Sequence, residues 1–360
     1  MPVLGFSVFF TIFSLVLALI NFAVLKGMAF ALELKLPLPV FILAAALLSL
    51  LFISSTLLSR SFGGSFIRIF YMAASYWVGF ALMCGFVFLI ILLPGMLLPE
   101  YKRLFYFAGF CLAFLSALYA GVHALDRKVK ETIIPFKTDL SLLQVSDVHF
   151  GVVNGPKYMI ELVNEINGIK PDAVLFTGDL VDGTTHIEKD TLAPLKDLKV
   201  PAYFVSGNHD VFDGLNRVYQ AVAEAGVTIL DGRVVEIKGV QLGGAGYSFK
   251  KEALKETLQS LKWKDGKPKI LLYHEPKGME EIRAAGIDLV LSGHTHGGQI
   301  IPFNFLVAIP YSYMKGLYNI NGLQLFVSTG CGTWGPKMRI GTDSEINFLK
   351  LKKDVRTEKR

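Results

Sequence analysis

The chain has 360 residues, of which 52% are hydrophobic and 18% charged, and its formal net charge is +6. A soluble domain carries about 25% charge, so disorder, collagen and a single soluble globule are excluded. Nor does the positive charge mark a nucleic-acid binder: residues 1–125 are net +4 and the remainder only +2, without a basic stripe.

Residues 1–125 carry eight charged side chains: Lys26, Glu33, Lys35, Arg60, Arg68, Glu100, Lys102 and Arg103. Charge-free stretches run over 1–25, 36–59, 69–99 and 104–125. Each reaches the roughly 20 residues needed to cross a ~30 Å hydrocarbon core. In lipid the backbone must satisfy its own hydrogen bonds, so four transmembrane helices are predicted. The third stretch is longer than required and holds Gly79, Gly85 and Pro94, which predicts tilt or a helix over part of it. Tyr71, Tyr76, Trp77, Tyr101 and Tyr106 lie towards segment ends, as interfacial aromatics do. No basic segment precedes the first run and three more runs follow, which argues for a span over a cleaved signal peptide. His123 is the single ionisable side chain inside these stretches, so the region reads as an anchor rather than a transporter.

Four spans put both ends of this region on one side. Arg60, Arg68, Arg127, Lys128 and Lys130 would share it, with Lys26, Lys35, Lys102 and Arg103 opposite. The excess of Lys and Arg predicts a cytoplasmic C-terminal part at a bacterial inner membrane.

Residues 126–137 read as a basic linker. From 138 to 352 the composition is that of an ordinary soluble domain. Short apolar runs at 140–146, 173–177, 202–206, 269–273, 288–292 and 323–328 predict buried strands, and 340–351 adds a last strand or two. Helix-like segments at 157–169, 214–225, 250–261 and 278–285 lie between several of them. The alternation predicts an α/β domain with helices covering sheets. Residues 353–360 form a charged tail. Cys84, Cys111 and Cys331 are scattered, so neither a disulfide framework nor a CxxC metal site is expected.

Five polar clusters follow the apolar runs: Asp147-Val148-His149, Gly178-Asp179-Leu180-Val181-Asp182, Gly207-Asn208-His209-Asp210, His274, and Gly293-His294-Thr295-His296. Of the six histidines beyond residue 138, only His186 lies outside them, and it reads as a surface residue. Taken singly, each cluster is an ordinary turn or a structural polar group. Together they stand at carboxyl ends of strands, where the loops of an α/β sheet converge on a site. Carboxylate, imidazole and amide oxygen form a mixed set suited to divalent Mn, Fe or Zn. One carboxylate shared by two donor groups suits two metals about 3.5–4 Å apart.

The ordered motifs D-x-H, G-D, G-N-H-D, H and G-H-x-H resemble those of the calcineurin-like metallophosphoesterase superfamily. A narrower resemblance is to a bacterial membrane-associated branch similar to the phosphodiesterases YkuE and YaeI. It rests on Gly293 to Ile300, on Lys315-Gly316-Leu317-Tyr318 and on Ser328-Thr329-Gly330-Cys331-Gly332-Thr333. Ser344-Glu345-Ile346 stands where that branch often has Pro-Glu-Ile, and four spans exceed its usual short anchor.

The resemblance implies a sandwich of two sheets flanked by helices. It places one metal on Asp147, His149, Asp179 and His296, and a second on Asp179, Asn208, His274 and His294. Two divalent cations would supply a hydroxide that attacks phosphorus in line. Asn208 would bind metal through oxygen and phosphate through nitrogen. His209 would meet the leaving oxygen, with Asp182 raising its pKa and fixing its tautomer. Lys337 and Arg339 could meet a phosphate or acidic headgroup. The apolar stretch 300–318 could dip into lipid through Phe303, Phe305 and Leu306. The resulting expectation is a membrane-anchored hydrolase of a phosphate ester or diphosphate, with a lipid-linked substrate. The alternative is a membrane sensor or scaffold whose phosphoesterase-like domain only binds.

Overall fold

The computed structural model describes residues 2–184 and 186–353, with residues 2–10 by backbone alone. It divides into two compact units, Met1–Leu125 with Gly335–Ile340, and Asp126–Trp334 with Gly341–Arg360.

The first unit contains four long helices: α1 (Pro2–Ala31), α2 (Leu38–Ser61), α3 (Ser65–Leu97) and α4 (Lys102–His123). All four are long and apolar enough to cross a membrane. The third stretch is one unbroken helix of 33 residues, about 50 Å at 1.5 Å per residue. Pro94 sits in its last turn, where a missing N–H disturbs few following bonds. The outward side chains are apolar, with Leu19, Leu43 and Leu89 more than 60% exposed. The polar contacts are turned inward. Asn21 Nδ2 donates to Ser49 Oγ at 2.9 Å, and Trp77 Nε1 donates to Asn21 Oδ1 at 3.0 Å. One amide therefore ties α1, α2 and α3, and Trp77 serves that contact rather than standing as a free interfacial ring. Gly335–Ile340 is a distant part of the chain that groups with these helices. Tyr76 Oη donates to Lys337 O at 3.0 Å and Arg339 N–H donates to Ala120 O at 2.8 Å.

Among the described residues the second unit holds twelve strands. They are β1 (Arg127–Phe136), β2 (Leu140–Val145), β3 (Ala173–Thr177), β4 (Ala202–Val205), β5 (Thr228–Ile229), β6 (Val234–Ile237), β7 (Val240–Ala245), β8 (Lys269–Tyr273), β9 (Leu289–Ser292), β10 (Gly316–Ile320), β11 (Leu323–Val327) and β12 (Ser344–Lys353). Its helices are α5 (Pro156–Ile169), α6 (Asn208–Phe212), α7 (Leu215–Glu224), α8 (Ala253–Ser260), α9 (Met279–Ala284) and α10 (Phe303–Val307). The strands make two six-stranded sheets, in the orders β1-β12-β2-β3-β4-β5 and β10-β11-β9-β8-β7-β6. Adjacent residues of one strand serve different cores. Leu142 and Leu175 meet Leu272 and Leu291 between the sheets. Leu143 and Val174 face outward onto Leu162 and Val163 of α5 and Val218 of α7. Leu271 and Val290 face the opposite outer layer, with Ile282 of α9 and Leu258 of α8. Helix, sheet, sheet, helix is the resulting order, and burial on both faces explains the unbroken apolar runs.

The expected linker is a correction. Arg127–Phe136 is a ten-residue strand, paired in parallel with β12 from Arg127↔Ser344 to Phe136↔Lys353. Its cations are spent on the fold: Arg127 pairs with Glu165 at 2.7 Å, Lys128 with Asp343 at 2.8 Å and Lys130 with Glu345 at 2.7 Å. The domain therefore begins at Asp126 rather than 138. Lys353 ends β12, and the rest of the expected tail, 354–360, lies outside the described residues.

Candidate metal centre

Five strands deliver the polar clusters at their carboxyl ends: β2, β3 and β4 of one sheet, β8 and β9 of the other. Beyond these ends the backbone turns sharply. Asp147, His149, Asp179, His294 and His296 have φ of 53°, 48°, 52°, 71° and 49°. The left-handed conformation costs about 1–2 kcal/mol for a non-glycine residue. Here hydrogen bonds between the loops hold it: Asp147 N–H donates to Gly178 O, His149 N–H to Asp179 O, and His294 N–H to Asp147 Oδ1, each at 3.0 Å. Strain concentrated at ligands in this way is a mark of functional sites.

Two glycines of the motifs clear space for ligand atoms. A Cβ on Gly178, whose φ is +91°, would lie 2.3 Å from His274 Nδ1. A Cβ on Gly293 would lie 1.9 Å from Ser146 Oγ and 2.3 Å from Asp147 Oδ2.

Donor atoms gather in three overlapping groups: Asp147, His149 and His296; His149, Asp179 and His209; and Asp179, His274 and His294. Asp179 and His149 each belong to two of these groups, which makes the three continuous. His149 Nε2 faces His296 Nε2 at 3.1 Å, and His274 Nε2 lies 3.1 Å from Asp179 Oδ2 and 3.3 Å from His294 Nδ1. Asn208 Oδ1 is buried without a hydrogen-bond partner, as an oxygen reserved for a cation would be.

The tautomers fit ligation. His274 Nδ1 lies 2.8 Å from Thr177 O, which can only accept, so Nε2 keeps its lone pair. Tyr311 Oη donates to Glu275 Oε1 at 2.9 Å and lies 2.5 Å from His294 Nε2. With its one proton on Glu275, that hydroxyl accepts from His294 Nε2–H. Nδ1 of His294 is thereby left as the donor atom toward His274.

The charges agree. Burial pushes His294 down to about 3, with the neighbouring His274 adding to it, so the ring is neutral. Burial pushes Asp147 up to about 6. Burial opposes ionisation of Asp179 and protonation of His274 alike. Their mutual attraction overrides it, holding Asp179 well below the carboxylate range and raising His274 to about 10. His274 would have to give up that proton to serve as a ligand, the exchange by which metal binding couples to protonation.

The expected role of Asp182 needs correction. His209 Nδ1 lies 2.9 Å from the main-chain oxygen of Asp182, not its carboxylate. That carboxylate accepts from Thr184 N–H at 2.7 Å and from Thr184 Oγ1 at 2.6 Å, and burial pushes it up to about 7. Thr184 closes a tight turn two residues on and captures the group. The His209 tautomer is fixed by peptide oxygen instead. Lys337 and Arg339 group with the helical unit, Lys337 half-buried and Arg339 fully buried. His186 is exposed, as expected. In the stretch 300–318, Phe305 and Leu306 are exposed on α10 while Phe303 is half-buried. The same stretch supplies Tyr311. Tyr311 and Glu275 were not anticipated, although Glu275 directly follows His274. Glu345, at the departure from Pro-Glu-Ile, accepts from Thr329 N–H at 3.0 Å and fixes the Ser328–Thr333 loop.

Carboxylate and imidazole donors clustered in this way are candidates to hold divalent metal ions. The family model for calcineurin-like phosphoesterases matches residues 140–298. A metallophosphoesterase of Helicobacter pylori strain J99 is 36% identical over 256 residues, covering 68% of this chain and 69% of its own. YkuE, a metallophosphoesterase of Bacillus subtilis, is 29% identical, covering 64% of this chain and 86% of its own. A zebrafish transmembrane protein with a metallophosphoesterase domain is 28% identical, covering 66% of this chain and 60% of its own. The chain belongs to the calcineurin-like metallophosphoesterase family. It is accordingly a hydrolase of phosphoester bonds that employs two divalent metals, carried by a membrane protein.

Proposed function

We propose that the protein is a membrane-anchored phosphoesterase that hydrolyses a lipid-linked phosphate ester or diphosphate at the cytoplasmic face of a bacterial inner membrane. The observation that supports the catalytic part is that Asp179 shares one donor group with His149 and another with His274 and His294, while His149 also joins Asp147 and His296. Asp147, His149, Asp179 and His296 would hold one cation, and Asp179, Asn208, His274 and His294 the other. When bound, two cations (Mn, Fe or Zn) offset the charge of the phosphate and lower the pKa of water.

The remaining steps belong to side chains. Asn208 turns Oδ1 to a cation, which leaves Nδ2 to donate to a phosphate oxygen. His209, with Nδ1–H held by Asp182 O, presents Nε2 to the leaving oxygen and delivers a proton there. Buried walls exclude water and strengthen each of these contacts. The lipid-linked substrate is supported by four helices that keep the domain at a bilayer and raise the local concentration of lipids.

The full chain in nanodiscs, given manganese, iron or zinc, is expected to hydrolyse bis-p-nitrophenyl phosphate. Failure with every metal would favour the binding-only sensor. The side of the membrane rests on the Lys and Arg count around the spans. A reporter fused after Leu125 should be active only in the cytoplasm, and periplasmic activity would overturn that placement.

A further inference from the structure

His209 is surrounded by aromatic rings that the chemistry of phosphate does not require. The ring of Phe212 lies 5.8 Å from the imidazole and that of Trp334 6.5 Å away. Phe249 extends the surface, 5.6 Å from Phe212 and 5.1 Å from Tyr247. Phe212, Phe249 and Trp334 are 42%, 57% and 51% exposed. Large apolar rings left in water beside a reactive group mark a surface that a ligand covers. Trp334 is held in place, since its N–H donates to Gln299 Oε1 at 2.9 Å and its carbonyl accepts from Gln299 Nε2 at 3.0 Å. Gln299 lies three residues after His296, so the Trp334 backbone is tied to the loop that carries that histidine.

We propose that Phe212, Phe249 and Trp334 bind an apolar chain attached to the leaving oxygen of the substrate. The inference rests on the phosphoesterase reading and on His209 serving the leaving group. It adds an orientation: the bond cleaved is the phosphorus–oxygen bond on the lipid side. Water forms the new bond to phosphorus as the bond to the lipid-side oxygen breaks. His209 gives its proton to that oxygen and is restored by the proton lost from water. The products are a lipid alcohol and a phosphate that keeps the other substituent. An acyl or prenyl chain fits better than a nucleobase because the rings meet at steep angles, 87° between Phe212 and His209 and 88° between Tyr247 and Phe249, and so make a ridged apolar wall rather than parallel stacking faces.

The test uses methyl alkyl phosphates, with ethyl to octyl chains, and the full chain in nanodiscs with manganese. The two leaving alcohols are chemically alike, so recognition decides which one departs. Octanol and methyl phosphate are expected from the longest diester, and kcat/KM should rise about three- to fourfold for each methylene that the rings cover. Phe249→Ser and Trp334→Ser should flatten that slope. Metal-free protein titrated with octyl phosphate gives a readout independent of turnover: a quench of tryptophan fluorescence that Trp334→Phe removes. Release of methanol, a flat slope with the native chain, or an unchanged slope in both variants would overturn the inference while leaving the phosphoesterase reading intact. A nucleoside diester preferred over every alkyl diester would overturn it too. Absence of hydrolysis of any ester would overturn the parent reading instead, and the quench would then decide this one alone.

Discussion

In the helical unit the apolar side chains point outward and the few polar ones meet inside, as Asn21, Ser49 and Trp77 do. In the phosphoesterase unit the apolar side chains fill three buried layers, and the polar ones collect where strands end. The same amino acids serve opposite ends because the surroundings of the first unit are hydrocarbon and those of the second are water. The difference teaches where to look for chemistry. Lipid-facing helices tolerate almost any apolar residue, so their sequence carries length and little else. The strand ends carry residues whose identity is dictated atom by atom.

If that contrast holds, the largest effects belong to the strand ends. Asp179→Asn should lose both metals and more than about 100-fold in activity, exceeding the 10–100-fold typical of supporting residues. Metal content and Tm measured together would show it, since the metals contribute to the folded state. His209→Ala should lower kcat by about 10²–10⁴ while metal content stays constant. Asp182→Asn should cost far less, because the peptide oxygen that holds His209 survives; a loss equal to that of His209→Ala would restore the carboxylate to the mechanism. Tyr311→Phe removes the acceptor of His294 Nε2–H and should weaken metal affinity by about 10–100-fold, read by competition with a chelator. Gly293→Ala drives a methyl into Ser146 and Asp147 and should destabilise the domain by about 1–3 kcal/mol in urea unfolding. The smallest effect belongs to the other region. Asn21→Ala should leave hydrolysis of a water-soluble ester unchanged and cost the helices about 0.6 kcal/mol. A large loss of turnover there would break the division between the two units.

Much of the fold was legible. The runs at 173–177 and 269–273 coincide with β3 and β8, because strands buried on both faces read as unbroken apolar runs. Most strands missed had one wet face or an edge position; β7 is the exception, buried throughout between β8 and β6, its apolar run broken by Gln241, Gly243 and Gly244. β1 carries Arg127, Lys128, Lys130 and Glu131, and its pairing with β12 lies more than 200 residues away in sequence. The hairpin of β10 and β11 did leave a signal, Asn321-Gly322, whose φ values of 51° and 94° suit a tight turn. The turn lies just beyond the apolar stretch 300–318, which already contains the first three residues of β10. Among the site residues, the motifs supplied every metal ligand proposed here. They did not supply the partners of those ligands, since Tyr311 lies 17 residues from His294 and no spacing rule joins them.

What the sequence alone determined, then, is whatever depends on local composition and order: four apolar helices, buried strands, and ligand types at strand ends. These follow from nearest neighbours along the chain. Tertiary structure decided which oxygen holds His209, that Tyr311 and Glu275 set the tautomer of His294, and that Phe212 and Trp334, more than 120 residues apart, both bring rings to His209. Those outcomes depend on where loops from different strands meet, and hydrogen-bond direction and ring contact exist only once they have met.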